Sequence, residues 1–195
     1  AGAPAIKNLT YKIIANSTTA AIALETGDID VSQNVGSADI AALEKKEGIT
    51  LLKDPSSAFY FVGLNTKVKE LSDVRVRQAI AKCINKENMV IGALDGYGVV
   101  TNTFIAEGLP GYDPDFNPLP YDVEAAKKLM AEAGYPNGFD LTISIPESRS
   151  ANAQILKSDL AQIGINLEIG ILETGAFWDA LENLDYEMMI MGWSY

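Results

Sequence analysis

Two short stretches of the sequence place polar side chains directly after a predicted strand. They are Ser32-Gln33-Asn34-Val35, after the strand Gly27–Val31, and Gly192-Trp193-Ser194-Tyr195, after the strand Met188–Met191. In open parallel sheets, ligands bind outside the carboxyl ends of the strands. Amide, hydroxyl and indole groups donate hydrogen bonds, but none of these residue types is an effective proton-transfer group near neutral pH. The two stretches therefore predict a binding surface and not a catalytic centre.

Each candidate also has a purely structural interpretation. Gln33 and Asn34 are equally suited to form a turn, because amide side chains readily bond to nearby backbone. For Trp193 and Tyr195, packing in a core or at its rim is the more frequent role, since both combine a large apolar ring with one polar atom. The residue types alone leave both interpretations open.

A calcium loop is suggested by one spacing and excluded by one residue. Asp113, Asp115, Asn117 and Glu124 occupy the first, third, fifth and twelfth positions of an EF-hand pattern. The sixth position, where the loop needs glycine, is Pro118. The stretch is therefore predicted to be a proline-rich turn, with Glu124 belonging to the following helix.

Catalysis finds little support in the composition. The 195 residues include no histidine and a single cysteine, which excludes His-based acid–base chemistry, the usual zinc and haem sites, and an internal disulfide. Cys83 lies on the apolar stripe of a predicted helix, which is typical of an inert core residue. Asp28 and Asp30 share one face of a short strand, which is a weak basis for a catalytic pair of carboxylates. We predict no enzyme, no cofactor and no metal site.

The charge and hydropathy patterns exclude two further classes. The formal net charge is −11 and the fifteen basic residues are scattered, so no nucleic-acid partner is expected. No apolar run approaches the roughly 18 residues of a membrane span. The opening residues lack the pattern of a signal peptide, so we expect either a cytoplasmic chain or one whose export signal precedes this sequence.

The central stretch, residues 58–85, predicts a strand followed by a core helix. The seven residues beginning at Phe59 open with three aromatic residues and a β-branched one, which favours a buried strand. Apolar residues then recur at helical spacing: they are Val76, Ala79, Ile80, Cys83 and Ile84. Ser72 or Asp73 is placed to cap the first amides of this helix.

Residues on both sides of this stretch alternate between strand and helix patterns. Residues 1–57 predict β-α-β-α-β, with strands at Leu9–Ala15, Asp28–Val31 and Ile49–Leu52. The last third predicts helices capped by Asp122, Ser150 and Thr174. It also predicts strands at 141–145, 165–171 and 188–191, which should form a right-handed parallel sheet. Residues 92–120, rich in glycine and proline, predict a long surface loop. The fold class is α/β.

Several of these elements resemble one protein family in their amino-acid sequence. The segments are 64–66 (Leu-Asn-Thr), 72–80 (Ser-Asp-Val-Arg-Val-Arg-Gln-Ala-Ile), 85–87 (Asn-Lys-Glu), 18–30 (ending Gly-Asp-Ile-Asp), 121–139 and 185–193 (ending Gly-Trp). They resemble the extracytoplasmic solute-binding proteins of bacterial ABC importers, in the family of dipeptide-, oligopeptide- and nickel-binding proteins (family 5). The resemblance covers nearly the whole chain and does not identify a member.

The resemblance implies a fold, a division of the chain and a function. The fold is the type II periplasmic-binding-protein fold, of which the chain would be a fragment. Residues 1–57 would be the last part of one lobe, residues 58–65 a strand crossing the hinge, and residues 66–195 the first, truncated part of the second lobe. The protein would capture peptides or similar solutes between two lobes and deliver them to a membrane permease.

The same resemblance implies partners, a site and a location. The expected partners are a peptide or other small solute and the ABC permease subunits, with the protein itself a monomer. Tyr60 on the crossing strand faces either the cleft or the core, and joins Gln33, Asn34 and the stretch 192–195 as a candidate ligand residue. The location is extracytoplasmic, as a periplasmic protein or a cell-surface lipoprotein.

Two other functions fit the same sequence. A ligand-sensing domain of a receptor would use the same fold, and only the parent gene separates it from a transport protein. An α/β hydrolase using carboxylates is the alternative of a different class. The lack of histidine, of a nucleophile elbow and of a metal cluster counts against it.

Overall fold

The computed structural model describes residues 5–33, 35–53, 57–105 and 107–194. The chain divides into two compact units, Ala1–Asp54 and Pro55–Tyr195. The first unit contains helix α1 (Ser17–Glu25) and helix α2 (Ser37–Leu43). The Asn16 side chain caps α1 by accepting a hydrogen bond of 2.9 Å from the Thr19 amide.

The three strands predicted in this unit are not formed among its described residues. Leu9–Ala15, Asp28–Val31 and Ile49–Leu52 carry no strand pairing. Several of their apolar side chains face solvent, with Ile13 99% and Leu52 84% exposed. An isolated extended segment has no interstrand hydrogen bonds and no second apolar surface to bury its side chains. Alternation of apolar and polar residues therefore does not by itself produce a strand. The β-α-β-α-β prediction for residues 1–57 was therefore wrong in its strands.

The second unit is built on one four-stranded sheet. Its strands are β1 (Phe59–Leu64), β2 (Asp140–Ile145), β3 (Asn166–Ile171) and β4 (Met188–Trp193). Their order is β1-β4-β2-β3, so β4 lies inside the sheet. β2 runs parallel to β3 and β4, as the sequence predicted, whereas β1 pairs antiparallel with β4.

Five α-helices lie among the described residues of this unit. They are α3 (Val74–Cys83), α4 (Lys86–Leu94), α5 (Val123–Glu132), α6 (Ser150–Ala161) and α7 (Thr174–Asn183). The predicted stripe of α3 is buried at Val76, Ala79, Ile80 and Cys83. These side chains join alternate residues of the sheet, such as Ile143 and Met188, in one core. The core thus lies on one face of the sheet, as period-two alternation requires.

Two predicted helix caps hold and two do not. Asp73 accepts from the Arg75 amide at 2.8 Å, and Asp122 accepts from the Ala125 amide at 2.9 Å. Helices α6 and α7 begin without a side-chain cap. A 3₁₀ turn leads directly into α6 and its Glu147 carbonyl already accepts the Ser150 amide. Ser150 is therefore inside the helical stretch, and its buried hydroxyl has no partner.

Asn65 fastens the end of β1 to the turn that precedes β4. Its side-chain amide donates to the Leu184 carbonyl at 3.1 Å and to the Tyr186 carbonyl at 2.8 Å. Its own backbone amide donates to the Glu187 carbonyl at 2.9 Å. Leu184 has a φ of 57°, a left-handed conformation that costs energy for a residue with a side chain. Asn65 therefore helps to hold the turn that positions β4.

A second fastening is a buried carboxylate between α6 and the α3–α4 junction. Asp159 is buried on α6, and its Oδ2 accepts from the Asn85 amide at 2.9 Å. The Cys83 thiol donates to the Asp159 carbonyl at 2.9 Å. Burial raises the pKa of Asp159, partly offset by the Asn85 hydrogen bond, and raises the pKa of Cys83 to about 11. Both shifts reflect the cost of a charge in an apolar surrounding.

Replacing Asn65 by aspartate should destabilise the second unit. The change Asn65→Asp removes two donated hydrogen bonds and points a carboxylate at two carbonyl oxygens. We expect a loss of about 2–3 kcal/mol in the free energy of unfolding, measured by urea denaturation. The matched control is Asn183→Asp, whose amide donates only to the Asp179 carbonyl on exposed α7. It should cost less than about 1 kcal/mol, and equal losses in both variants would contradict the role given to Asn65.

Asp159 should make stability depend on pH. Since its folded pKa is raised, its contribution is complete below the unfolded pKa of about 4 and is lost as pH rises through the folded value. Asp159→Asn keeps an acceptor for the Asn85 amide and carries no charge. We expect the variant to gain about 1 kcal/mol over the parent chain at pH 7 and nothing at pH 3, by urea denaturation at both values. The control Asp179→Asn, on an exposed position of α7, should show no such difference between the two pH values. An Asp159→Asn variant that gains nothing at pH 7 would refute the prediction.

Candidate functional site

The carboxyl ends of three strands meet at one edge of the sheet. β2, β3 and β4 are parallel, so Ile145, Ile171 and Trp193 end on the same side. β1 is antiparallel, so its first residues, Phe59 and Tyr60, lie at that edge too. This is the position at which open α/β sheets bind ligands. The structure thus brings Tyr60, Gly192 and Trp193, three of the predicted residues, to one edge.

Tyr60 lies over a glycine and beneath an arginine. It is directly opposite Gly192 in the β1–β4 pairing. A Cβ atom added to Gly192 would be 2.7 Å from the Tyr60 ring, so only glycine allows the ring to lie this close to the strand. The Arg149 guanidinium carbon is 4.0 Å from the centre of the ring. The ring is 46% exposed, which makes it neither a core residue nor a fully solvated one.

Arg149 is a site residue that the sequence reasoning missed. It belongs to the 3₁₀ turn Glu147–Arg149, which begins two residues after β2 ends. The rule that drew attention to the residues after β4 applies equally to those after β2, and would have found it. A guanidinium stacked on an aromatic ring keeps its N–H groups at the rim of the ring, where they are directed at carboxylate partners in the plane.

Trp193 lies on the opposite face of the sheet from Tyr60. It is opposite Phe59 in the pairing, and successive residues of a strand point to opposite faces. Its side chain is 55% exposed, so the interpretation of Trp193 as a core residue is not what the structure shows. Ser194 is exposed and follows the strand, while Tyr195 lies outside the described residues.

The other predicted place lies in the first unit. Gln33 is exposed between α1 and α2, and Asn34 lies outside the described residues. The strand expected to lead into them is not formed. Gln33 as a ligand residue therefore stays a prediction.

The charged residues of the central stretch hold the scaffold together and do not reach this edge. The Arg75 guanidinium binds the Asp73 carboxylate and donates to the Glu132 carbonyl at the end of α5 at 2.7 Å. Hydrogen bonds from the side chain and backbone of Arg75 lower the pKa of Asp73 to about 2. The Arg77 guanidinium donates to the Leu71 carbonyl at 2.9 Å. These residues fasten α3 to its neighbours.

No metal site or membrane helix is found in the part of the chain that the structure describes. No three His, Cys, Asp or Glu side chains there come together as metal ligands would. No helix there has both the length and the apolar character needed to cross a bilayer. The chemistry available at the sheet edge is hydrogen bonding, ring stacking, and the charges of Arg149 and of Glu147 in the same turn.

Comparisons with known proteins match the whole chain to one family. The family model described as "Bacterial extracellular solute-binding proteins, family 5 Middle" matches residues 1–195. The dipeptide-binding protein of Escherichia coli K12 is 28% identical over 98% of this chain and 37% of its own length. The glutathione-binding protein GsiB of Pectobacterium atrosepticum is 28% identical over 90% of this chain and 34% of its own length.

Solved structures give the same result. The periplasmic binding protein DppA of Helicobacter pylori, in complex with the peptide STSA, has a TM-score of 0.83 and 32% identity, covering 93% of this chain and 36% of that protein. The dipeptide-binding protein of Pseudoalteromonas sp. SM9913, in complex with Met-Leu, has a TM-score of 0.83 and 26% identity, covering 94% of this chain and 38% of that protein. The chain thus spans little more than a third of the proteins it matches. It belongs to family 5 of the bacterial extracellular solute-binding proteins.

Proposed function

We propose that this chain is part of the solute-binding component of a bacterial ABC importer that captures short peptides. In this proposal residues 1–57 belong to one lobe, residues 58–65 cross between lobes, and residues 66–195 begin the second lobe. The longer polypeptide supplies the remainder of both lobes. The protein acts outside the cytoplasm, as a periplasmic protein or a surface lipoprotein, and delivers its solute to the permease as a monomer.

The observation that carries this proposal is the composition of the sheet edge. Tyr60, Arg149 and Trp193 offer two half-exposed aromatic side chains and a cation, next to the free end of β4. A peptide has what these groups recognise: a carboxylate for the guanidinium and backbone groups that pair with extended chain. None of the three is an effective general acid or base at neutral pH, which supports binding without bond cleavage.

The family and its members support the same proposal. The H. pylori and Pseudoalteromonas proteins hold peptides, and the E. coli and Pectobacterium relatives are named for dipeptide and glutathione. Closure of two lobes about a hinge would present one defined shape to a permease. Arg149 is the residue of this chain that we assign to the carboxylate of the peptide.

Purification of the longer polypeptide that carries this chain tests the proposal. Native mass spectrometry should find a mixture of co-purified short peptides. Titration of the ligand-free protein with trialanine should give binding, weakened at least tenfold in Arg149→Ala because a charge-assisted hydrogen bond is lost. The control is Arg77→Ala, because Arg77 bonds to the Leu71 carbonyl and not to groups at the sheet edge. This variant should leave the affinity for trialanine unchanged. Recovery of a single sugar or a metal complex, with no binding of trialanine, would overturn the proposal.

The chain by itself should bind peptides poorly. Only part of the cleft would be present, so the contacts from the remaining segments would be missing. In a Trp178→Phe variant, Trp193 is the single tryptophan of the chain. Its fluorescence should not change with trialanine below millimolar concentration. A micromolar response would show that these residues suffice and that the rest of the cleft contributes little.

A further inference from the structure

Three phenylalanine rings form a cluster beside Trp193. The centres of the Phe59 and Phe61 rings are 5.9 Å apart. Phe104, from the long loop after α4, lies 5.4 Å from Phe59 and 6.0 Å from Phe61, and meets Phe61 edge to face. These distances are those of favourable aromatic pairs. We call Phe59, Phe61, Phe104 and Trp193 the aromatic patch.

The aromatic patch lies on the face of the sheet that the core does not use. Phe59 is opposite Trp193, and Phe61 is opposite Met191, so these four side chains share one face. The next residue along the strand, Val62, points to the other face, where it packs against the core. Phe104 is 62% exposed and Trp193 is 55% exposed. The patch therefore presents apolar surface to solvent at the same sheet edge as Arg149 and Tyr60.

The loop that carries Phe104 is bonded to α4 just before the ring and is braced by its own hydrogen bonds around it. The Lys86 ammonium, at the start of α4, binds the Asn102 side chain and donates to the Thr101 carbonyl at 3.4 Å. The Thr101 hydroxyl donates to the Thr103 carbonyl at 2.9 Å, and the Ile105 amide donates to the Thr103 hydroxyl at 3.1 Å. Burial lowers the pKa of Lys86, partly offset by the charge of Glu87. Phe104 is thus positioned before any ligand arrives, which reduces the entropy lost on binding.

We propose that the aromatic patch is a subsite for one apolar side chain of the bound peptide, and that Phe104 sets the preference for it. This inference rests on the proposed function. The patch contains no charged side chain, so it favours an aromatic or long aliphatic group over a polar one. Arg149 lies with Tyr60 on the other face, so a peptide that crosses the sheet edge meets a cation on one side and aromatic rings on the other. The site therefore selects short peptides that combine a free carboxylate with an apolar side chain.

The test compares peptides that differ in one side chain. The ligand-free longer polypeptide is titrated calorimetrically with trialanine and with the three peptides in which one alanine becomes phenylalanine. In the parent protein one of the three should bind at least about tenfold more tightly than trialanine. In Phe104→Ala that preference, taken as the ratio of the two affinities measured in the same variant, should fall to about threefold or less. Phe104→Leu should keep most of the preference, because it retains apolar volume.

The matched control is Phe116→Ala, which removes a ring of similar exposure from the same loop region outside the patch. It should change neither affinity. The alternative occupant of the aromatic patch is a further segment of the longer polypeptide. Thermal unfolding of each variant tests for it. In that case Phe104→Ala would lower the Tm by several degrees and leave the peptide preference intact, which would overturn the inference. Binding of all four peptides with equal affinity would also overturn it while the proposed function stands. Binding of none would overturn the proposed function, and this inference with it.

Discussion

The antiparallel pairing of β1 with β4 is the constraint on which the second unit depends. It joins a strand near the start of the unit to the last strand, and β4 in turn pairs with β2. This pairing fixes the positions of the strands. The helices that cover the core face are attached to these strands, so their positions depend on it too. Asn65 and Glu187 reinforce it at one end of the two strands, through the backbone bond of 2.9 Å and the amide clamp on the preceding turn. At the other end of the two strands, the Tyr60 ring lies over Gly192.

The same pairing explains how one sheet edge offers two kinds of surface. Register fixes which residues share a face, and a slip by one position would exchange them. In the observed register the apolar residues Val62 and Leu64 pack against the core, and Phe59 and Phe61 take the opposite face. Tyr60 shares the core-side face but is half exposed and lies beneath Arg149. Binding chemistry and core packing are therefore set by one arrangement of hydrogen bonds.

Much of the second unit followed from the sequence because its signals are local. The apolar stripe of α3, the caps at Asp73 and Asp122, and the alternation in β2 and β3 each depend on neighbours along the chain. The antiparallel orientation of β1 could not be predicted from the sequence, because pairing between strands that are distant in the chain produces no periodic pattern of residues. Phe104 was missed for a related reason: it reaches the site from a loop, and only the folded sheet edge brings it beside Phe59. Arg149 follows β2 and was open to the same rule as the residues after β4, whereas its contact with Tyr60 was not. In the first unit the alternation of apolar and polar residues was misleading, because Leu9, Tyr11 and Ile13 lie in a segment that pairs with no strand among the described residues.

The buried thiol gives the molecule a practical property. Cys83 is the one cysteine of the sequence, is fully enclosed, and has a pKa raised to about 11. Thiol reagents attack the thiolate of an accessible cysteine, so the native fold shields this position on both counts. Maleimide labelling of the unchanged chain would therefore count only molecules that have opened their core. A cysteine introduced on the surface would accept a fluorophore with almost no background, which makes the chain suited to following motion by spectroscopy.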